Sequence, residues 1–394
     1  MRKTVKFGRH ETIVNVIMSP VPHVIRDGSN KVFHGWYKDK VVSPGKRPRP
    51  CTSEHFLLAP YRGYCPIDCK FCYLNLGRSV WAKEKLTIVD RNYPKWVAST
   101  IEKLRIAFPL YLSPYVDVFN PLEEKYRITM QIATIANYYN IPFQFTTKRV
   151  VPEEYIELLA SNPYNYVHYS VFATDEDLSL LSPGASSNED IYNSISELSE
   201  RGIYVAVRID PLIPSALSKS VEETITEIML NSLQAGAKHF VLSFAEFSPL
   251  AKKSFMQYLS SNGRDASKFD AEFSSFQTGT FVIDWKRRKK MIEFAKSMLG
   301  VLNKKLNTKA TFSLCFEFYK KGKQIVNANL EFSDSRSCHG KTVPIHYRDD
   351  GKFVPLKQCW GACLTCPNNL CGISRLQEAR KNQLSDYKQM KIGG

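Results

Sequence analysis

Residues 61–75, YRGYCPIDCKFCYLN, constrain this chain more than any other stretch. They carry Cys65, Cys69 and Cys72 in a C-x3-C-x2-C spacing, which lets three thiolates converge on one small metal centre from a single loop. Arg62, Gly63 and Pro66 make the stretch turn-rich rather than helical or extended. A [4Fe–4S] cube takes four ligands, so a loop that offers three leaves one iron open to bind another molecule. Phe71, just before the third cysteine, supplies an apolar ring to keep water away. Zinc is the competing reading, but zinc usually takes paired C-x2-C knuckles, and a fourth ligand is missing locally.

The flanking pattern supplies a scaffold for such a loop. Residues 55–60 (HFLLAP) read as a strand feeding it. Apolar spacing then predicts a helix over 94–105, a strand over 115–119, a helix over 122–139, a strand over 143–147 and a helix over 152–160. It continues with strand 165–173, helix 188–201, strand 203–209, helix 221–235 and strand 239–244. A long helical region ends in 285–299, and residues 1–54 read as irregular. Six β–α units imply a parallel sheet covered by helices, either doubly wound or rolled into a barrel. In barrels of this kind function sits at the C-terminal strand ends. Those ends carry Asp117, Asn120 and Glu123; Thr147 and Lys148; Ser170; Arg208; and Ser243 and Glu246.

The C-terminal part is rich in cysteine. Residues 311–319 (TFSLCFEFY) alternate as one half-buried strand, with Cys315 and Glu317 on its polar face and available to a substrate. Cys359, Cys363, Cys366 and Cys371 follow at C-x3-C-x2-C-x4-C, with Cys338 as a substitute fourth ligand. Four thiolates in thirteen residues imply an auxiliary [4Fe–4S] cluster or a structural zinc. Clustered cysteines without a secretory signal argue for metal over disulfides and for a cytoplasmic setting. No run of 18 apolar residues exists to span a membrane. The formal net charge of +16 favours a nucleic-acid partner. Two segments suit phosphates: the N-terminal region 1–54, which includes the basic, proline-rich stretch 41–51, as an arm or else a strap over the barrel, and the run Lys286, Arg287, Arg288, Lys289, Lys290. The expected division is a basic extension over 1–54, a barrel over 55–308 and a cysteine-rich extension over 309–394.

The cluster spacing, with its aromatic before the last cysteine, resembles that of the radical SAM superfamily. The strand ends resemble the branch that holds spore photoproduct lyase and the DNA repair photolyase-like proteins. Ala59, Pro60, Tyr61, Arg62 and Gly63 stand where that branch has an N-P-Y-x-G-like turn. The segment from Asp117 to Glu123 matches a D-P-Y-Q-P-x-E-like one, Thr147 and Lys148 a T-K pair, Ser182-Pro183-Gly184 an E-P-G-like turn, and 207–214 a V-R-I-x-P-I-I-P-like strand. The resemblance runs from about Phe56 to Glu246. It implies a partial (β/α)6 TIM-type barrel with the cysteine-rich segment as an extension. It also implies a [4Fe–4S] cluster on Cys65, Cys69 and Cys72 whose open iron chelates S-adenosylmethionine (SAM). Reductive cleavage of SAM, fed by a flavodoxin-type electron donor, would yield a 5′-deoxyadenosyl radical. Tyr73, Asp117, Asn120, Lys148, Ser170 and Arg208 are the implied SAM contacts. The leading expectation is a lyase- or modification-type enzyme acting on nucleic acid, in base repair or modification. The alternatives are an enzyme that modifies a peptide, protein or small molecule, and a non-catalytic nucleic-acid binder stapled by metal. One departure stands out. Spore photoproduct lyase draws a hydrogen atom from a cysteine between its cluster motif and the end of its barrel, and this chain has no cysteine from Tyr73 through Leu314.

Overall fold

The computed structural model describes residues 1–7, 10–27, 55–76, 79–277, 279–315, 317–322, 324–361 and 366. A seven-stranded, all-parallel sheet forms its centre. The strands are β1 (Phe56–Leu58), β2 (Leu110–Leu112), β3 (Phe143–Thr147), β4 (Tyr166–Ser170), β5 (Tyr204–Leu212), β6 (His239–Phe244) and β7 (Thr311–Leu314). Each pairs with its neighbours in chain order. This is the single-direction winding of a partial barrel, and among the described residues no strand pairing joins β1 to β7. Every residue of β4 and β6 is buried, as expected of parallel strands covered on both faces.

The helices between the strands carry local signals that explain where they begin and end. Ser187 caps α1 (Asn188–Glu200) by accepting the Asp190 N–H at 3.1 Å. Ser220 and Glu223 form a capping box on α2 (Val221–Gln234). Gly202 and Gly236 follow these two helices with φ of +74° and +102°. The helix expected to end the barrel is α3 (Trp285–Leu306), stopped by Asn307 in the left-handed region.

Several expectations are corrected. The second strand is Leu110–Leu112, not 115–119. Val116 and Val118 are buried, but the Asp117 carboxylate accepts the Phe119 N–H at 2.9 Å, and this Asx-type bond turns the chain. The helix over 122–139 breaks at Arg127 (φ +52°) into Glu123–Tyr126 and Ile128–Tyr139. Glu123 causes the restart. Its buried carboxylate takes the N–H groups of Thr129 (2.9 Å) and Met130 (3.0 Å), acting as an N-cap, and also the hydroxyls of Tyr61 and Tyr155. The stretch 311–319 is two strands, β7 and Phe318–Lys321, because Glu317 turns inward to Arg288. Since β7 lies beyond residue 308, the C-terminal segment completes the barrel sheet.

The N-terminal segment is not irregular throughout. Arg2–Phe7 and His10–Asn15 form a hairpin, and His23–Arg26 pairs with Thr87–Asp90, which pairs in turn with Tyr61–Gly63. This part straps the base of the cysteine loop. The stretch 41–51 lies outside the described residues, as do Cys363, Cys371 and the tail. Three of the five basic residues in the run that opens α3 are ion-paired within the chain: Arg287 with Glu272, Arg288 with Glu317, and Lys289 with Glu293. Among the described residues, no helix is long and apolar enough to cross a membrane.

Candidate active site

The cysteine loop leaves β1 through Tyr61–Gly63, where Gly63 takes φ +83° and a Cβ would stand 2.5 Å from the Leu86 carbonyl oxygen. Two short turns then set the thiols: Asp68 N–H donates to Cys65 O, and Cys72 N–H to Cys69 O, both at 3.0 Å. The Cys65 N–H donates to Asn75 Oδ1 at 3.3 Å. A remote turn, 181–184, clamps the loop. Lys70 N–H donates to Leu181 O (2.9 Å), Gly184 N–H to Ile67 O (3.0 Å) and Ser182 Oγ to Cys69 Sγ (3.0 Å). From β2's end, Asp117 N–H donates to Cys65 Sγ at 3.4 Å. Backbone and hydroxyl donors aimed at sulfur are what a cluster-bound thiolate needs.

Burial pushes all three thiols up: Cys65 well above its usual value, Cys69 to about 11, and Cys72 upward as well. Lys148 opposes this at Cys69 and Cys72. Two buried thiols and a half-buried one, facing one space, resist ionisation together, and bound iron removes that penalty by ligating them as thiolates. The loop therefore fits the iron–sulfur centre its spacing implies. Phe71 is buried and packs edge-to-face on Phe172 at 5.0 Å, beside the thiols.

The thiols open onto a cavity of about 660 Å³, within the range of small-molecule sites (about 300–1,000 Å³). Lys148, Ser170 and Arg208 line it together. Lys148 Nζ donates to Ser170 Oγ at 2.5 Å, and Ser170 Oγ donates to Asp210 O at 2.8 Å. Arg208 is buried and ion-paired with Asp210. Asp117 also lines the cavity, but its carboxylate is occupied by Thr147 Oγ1 (2.9 Å) and Lys148 N–H (2.8 Å). It orients the β3 end. Tyr73 is 62 % exposed, and its hydroxyl donates to Pro114 O at 3.1 Å, placing it on the rim.

Asn120 stands apart from this group. It is fully buried and holds its own turn, with Nδ2 donating to Asp117 O at 2.7 Å and Oδ1 accepting from Leu122 N–H at 3.1 Å. Cys315 and Glu317 do reach the cavity. Glu317, however, is committed to Arg288 and to the Phe244 N–H (3.0 Å), and burial pushes its carboxyl up to about 7.

Sequence reasoning missed several groups. Asp210, Tyr111 and His339 line the cavity, and so does Cys338. His339 stacks on His168 (centroids 5.0 Å apart) and lies 4.4 Å from His55. Burial keeps His339 and His168 neutral, well below the usual imidazole range. The neighbouring pair Cys338-His339, in an otherwise polar loop, was the available signal. At the cysteine-rich segment, Cys359 Sγ accepts the N–H groups of Ile345 (3.2 Å) and Gly361 (3.4 Å). Among the described residues, no three His, Cys, Asp or Glu side chains form a site for a single metal ion.

The fold and the site define a barrel enzyme with a three-cysteine cluster loop at the C-terminal ends of its strands. Residues 61–228 match the family model of the radical SAM superfamily. That segment holds the three-cysteine loop and β2 to β4, and over it the chain is similar to radical SAM enzymes. It is 29 % identical over 402 residues to the "Radical SAM Nalpha-GlyT isomerase" of Pseudomonas phage M6, an alignment that covers 94 % of this chain and 79 % of the relative. Among solved structures it resembles spore photoproduct lyase complexed with dinucleoside spore photoproduct. That match has a TM-score of 0.51 and 13 % identity, covers 74 % of this chain and 81 % of that one, and is a likeness of fold.

Proposed function

We propose that this enzyme carries out a redox-neutral radical rearrangement of a small substrate, Nα-GlyT or a close analogue. One observation carries the reading: similarity to the phage isomerase extends over 94 % of the chain, including the segment that adds β7 and Cys338 to the cavity. Base repair of the photoproduct-lyase kind has less support, because the likeness to that enzyme is one of fold. With its cluster and SAM bound, the site supplies a 5′-deoxyadenosyl radical. Cys65, Cys69 and Cys72 would hold the cluster, while Lys148 and Ser170 offer a cation and a hydroxyl for the carboxylate and ribose of SAM. Asp117 fixes the backbone at Lys148, and Phe71 with Phe172 excludes water. The test is anaerobic turnover of reconstituted protein with SAM, a low-potential reductant and Nα-GlyT. A product of unchanged mass and new retention supports the reading. Formation of 5′-deoxyadenosine with Nα-GlyT intact refutes it.

The net charge of +16 favours a second form of this reading, in which the substrate group is carried on nucleic acid. Binding to DNA or RNA that weakens steeply with salt would support it, and salt-insensitive binding or none would remove it. A flavodoxin-type carrier is the proposed electron donor. The proposal extends to an auxiliary metal centre on Cys359, Cys363, Cys366 and Cys371, supported by the two N–H groups already aimed at Cys359 Sγ. An iron content of about eight per chain denotes two cubes, and about four with zinc denotes a structural zinc there.

A further inference from the structure

The cavity lining carries a carboxylate that the chain leaves open. Glu246 lines the same cavity as Cys65, Cys69, Cys72, Lys148 and Ser170. It is exposed and lies just past β6, in the short link to the helix Pro249–Ser261. The backbone on either side of it is held. Ala245 N–H donates to Leu212 O at 3.3 Å, and Phe247 exchanges two backbone hydrogen bonds with Phe281, at 3.0 and 2.7 Å. The Phe247 ring is buried, stacked on Phe255 at 5.3 Å and met edge-on by Phe269 and Phe273, each at 5.1 Å. A side chain offered from so fixed a backbone loses little freedom when it takes a ligand. The other charged side chains of the lining are already engaged. Lys148 donates to Ser170, Arg208 pairs with Asp210, Glu317 pairs with Arg288, and Asp117 accepts from Thr147 and the Lys148 N–H. Among the described residues no hydrogen bond or ion pair reaches the Glu246 carboxylate. Its charge is felt at Glu317, where it adds to burial in pushing that carboxyl up.

We propose that Glu246 selects an amine-bearing substrate, its carboxylate receiving the cationic amino group and leaving Cys65, Cys69, Cys72, Lys148 and Ser170 to the cofactor. The choice of amine, the glycyl nitrogen of Nα-GlyT, rests on the isomerase reading above. The β5–β7 side of the cavity holds a carboxylate charge that no cation of the described residues offsets, and it draws a positive group. Hard metal ions take about six oxygen ligands, whereas an ammonium is satisfied by a single carboxylate and the hydrogen bonds around it. Asp210 and Glu317 are committed to arginines, and among the described residues no three His, Cys, Asp or Glu side chains form a site for a single metal ion, so the donor set fits the ammonium. Held at Glu246, the amino group sets which part of the substrate faces the three-cysteine loop.

The test uses the full-length, reconstituted protein with SAM and no reductant, so that nothing turns over. Equilibrium dialysis compares Nα-GlyT with an analogue that carries oxygen in place of the glycyl nitrogen. Wild type should bind the amine about tenfold or more tightly than the oxygen analogue, the scale of a hydrogen bond between charged groups. Glu246→Gln should lose most of that preference and Glu246→Asp should keep part of it. Added salt should shrink the preference of wild type and leave Glu246→Gln nearly unmoved. Iron content equal to that of wild type shows that each variant is folded and loaded. In turnover, Glu246→Gln should raise KM for Nα-GlyT about tenfold with a smaller change in kcat, a split that a merely structural role would not give. Equal binding of the two ligands by wild type, binding of neither, or a preference that survives Glu246→Gln overturns the proposal. The isomerase reading fails separately. If 5′-deoxyadenosine forms with Nα-GlyT intact while the Glu246-dependent preference persists, the amine site stands and the rearrangement falls.

Discussion

Gly184→Ala tests whether a turn more than a hundred residues away holds the cluster loop in shape. Gly184 has no need of a left-handed backbone; what it needs is space. An added Cβ would stand 2.6 Å from Pro66 O, 2.7 Å from Ile67 Cα and 3.0 Å from Ile67 O, all backbone atoms that cannot rotate away. Ordinary contact begins at 3.4 Å, so turn and loop must part by about 0.8 Å. Overpacking of this kind costs about 1–3 kcal/mol. The displacement falls across the 3.0 Å bond from Ser182 Oγ to Cys69 Sγ, which would open beyond useful reach. The assay is urea unfolding of the apo protein together with iron and sulfide content after anaerobic reconstitution. The expected result is that loss of stability with a reduced share of the iron held by the three-cysteine loop. Gly300→Ala is the control. It lies within α3, nothing stands within 4 Å of its added Cβ, and it should gain about 0.5–1 kcal/mol with unchanged iron. Wild-type stability and full iron in Gly184→Ala would refute the clamp.

Other outcomes follow from the same geometry. Cys65→Ala should lower iron by about four per chain and abolish 5′-deoxyadenosine formation; unchanged iron would mean that the loop holds no cube. Arg288→Met leaves the Glu317 carboxylate buried and unpaired, and should cost about 3–5 kcal/mol by denaturant titration. Adding Glu317→Leu should restore at least half of that, and no recovery would count against the buried pair as the cause. Lys148→Met should weaken equilibrium SAM binding by about tenfold without altering iron content, and equal affinity would remove Lys148 from the SAM site. Burial pushes His239 down to about 3 and His346 to about 4, so the native apo protein stays neutral there while the unfolded chain takes up protons below 6.5. Stability is therefore full above pH 6.5 and is lost as pH falls toward 4, by about 1.4 kcal/mol per pH unit for each imidazole. His346→Gln should remove one proton's worth of that slope, and an unchanged slope would contradict the assignment.

The sequence by itself determined the cofactor loop and most of the scaffold. Three thiols within eight residues are a local feature, and so are the short apolar runs that placed β3 at 143–147 and β6 at 239–244. Cap residues such as Ser220 with Glu223 fixed helix starts for the same reason, because their partners lie three residues away. Where local chemistry competed with periodicity, the reading failed. Asp117 turned an apolar stretch into a loop, and Glu123 restarted a helix, because each carboxylate collects donors that periodicity does not register. Tertiary structure alone decided which side chains share the cavity. Lys148, Ser170 and Arg208 come from adjacent strands, so chain order almost implied their meeting. Cys338 and His339 come from a loop beyond the last strand, and only the curl of the sheet brings them opposite Cys65, Cys69 and Cys72. A pattern along the chain reports which face a residue occupies, while the groups that meet it across a cavity come from segments far away in sequence.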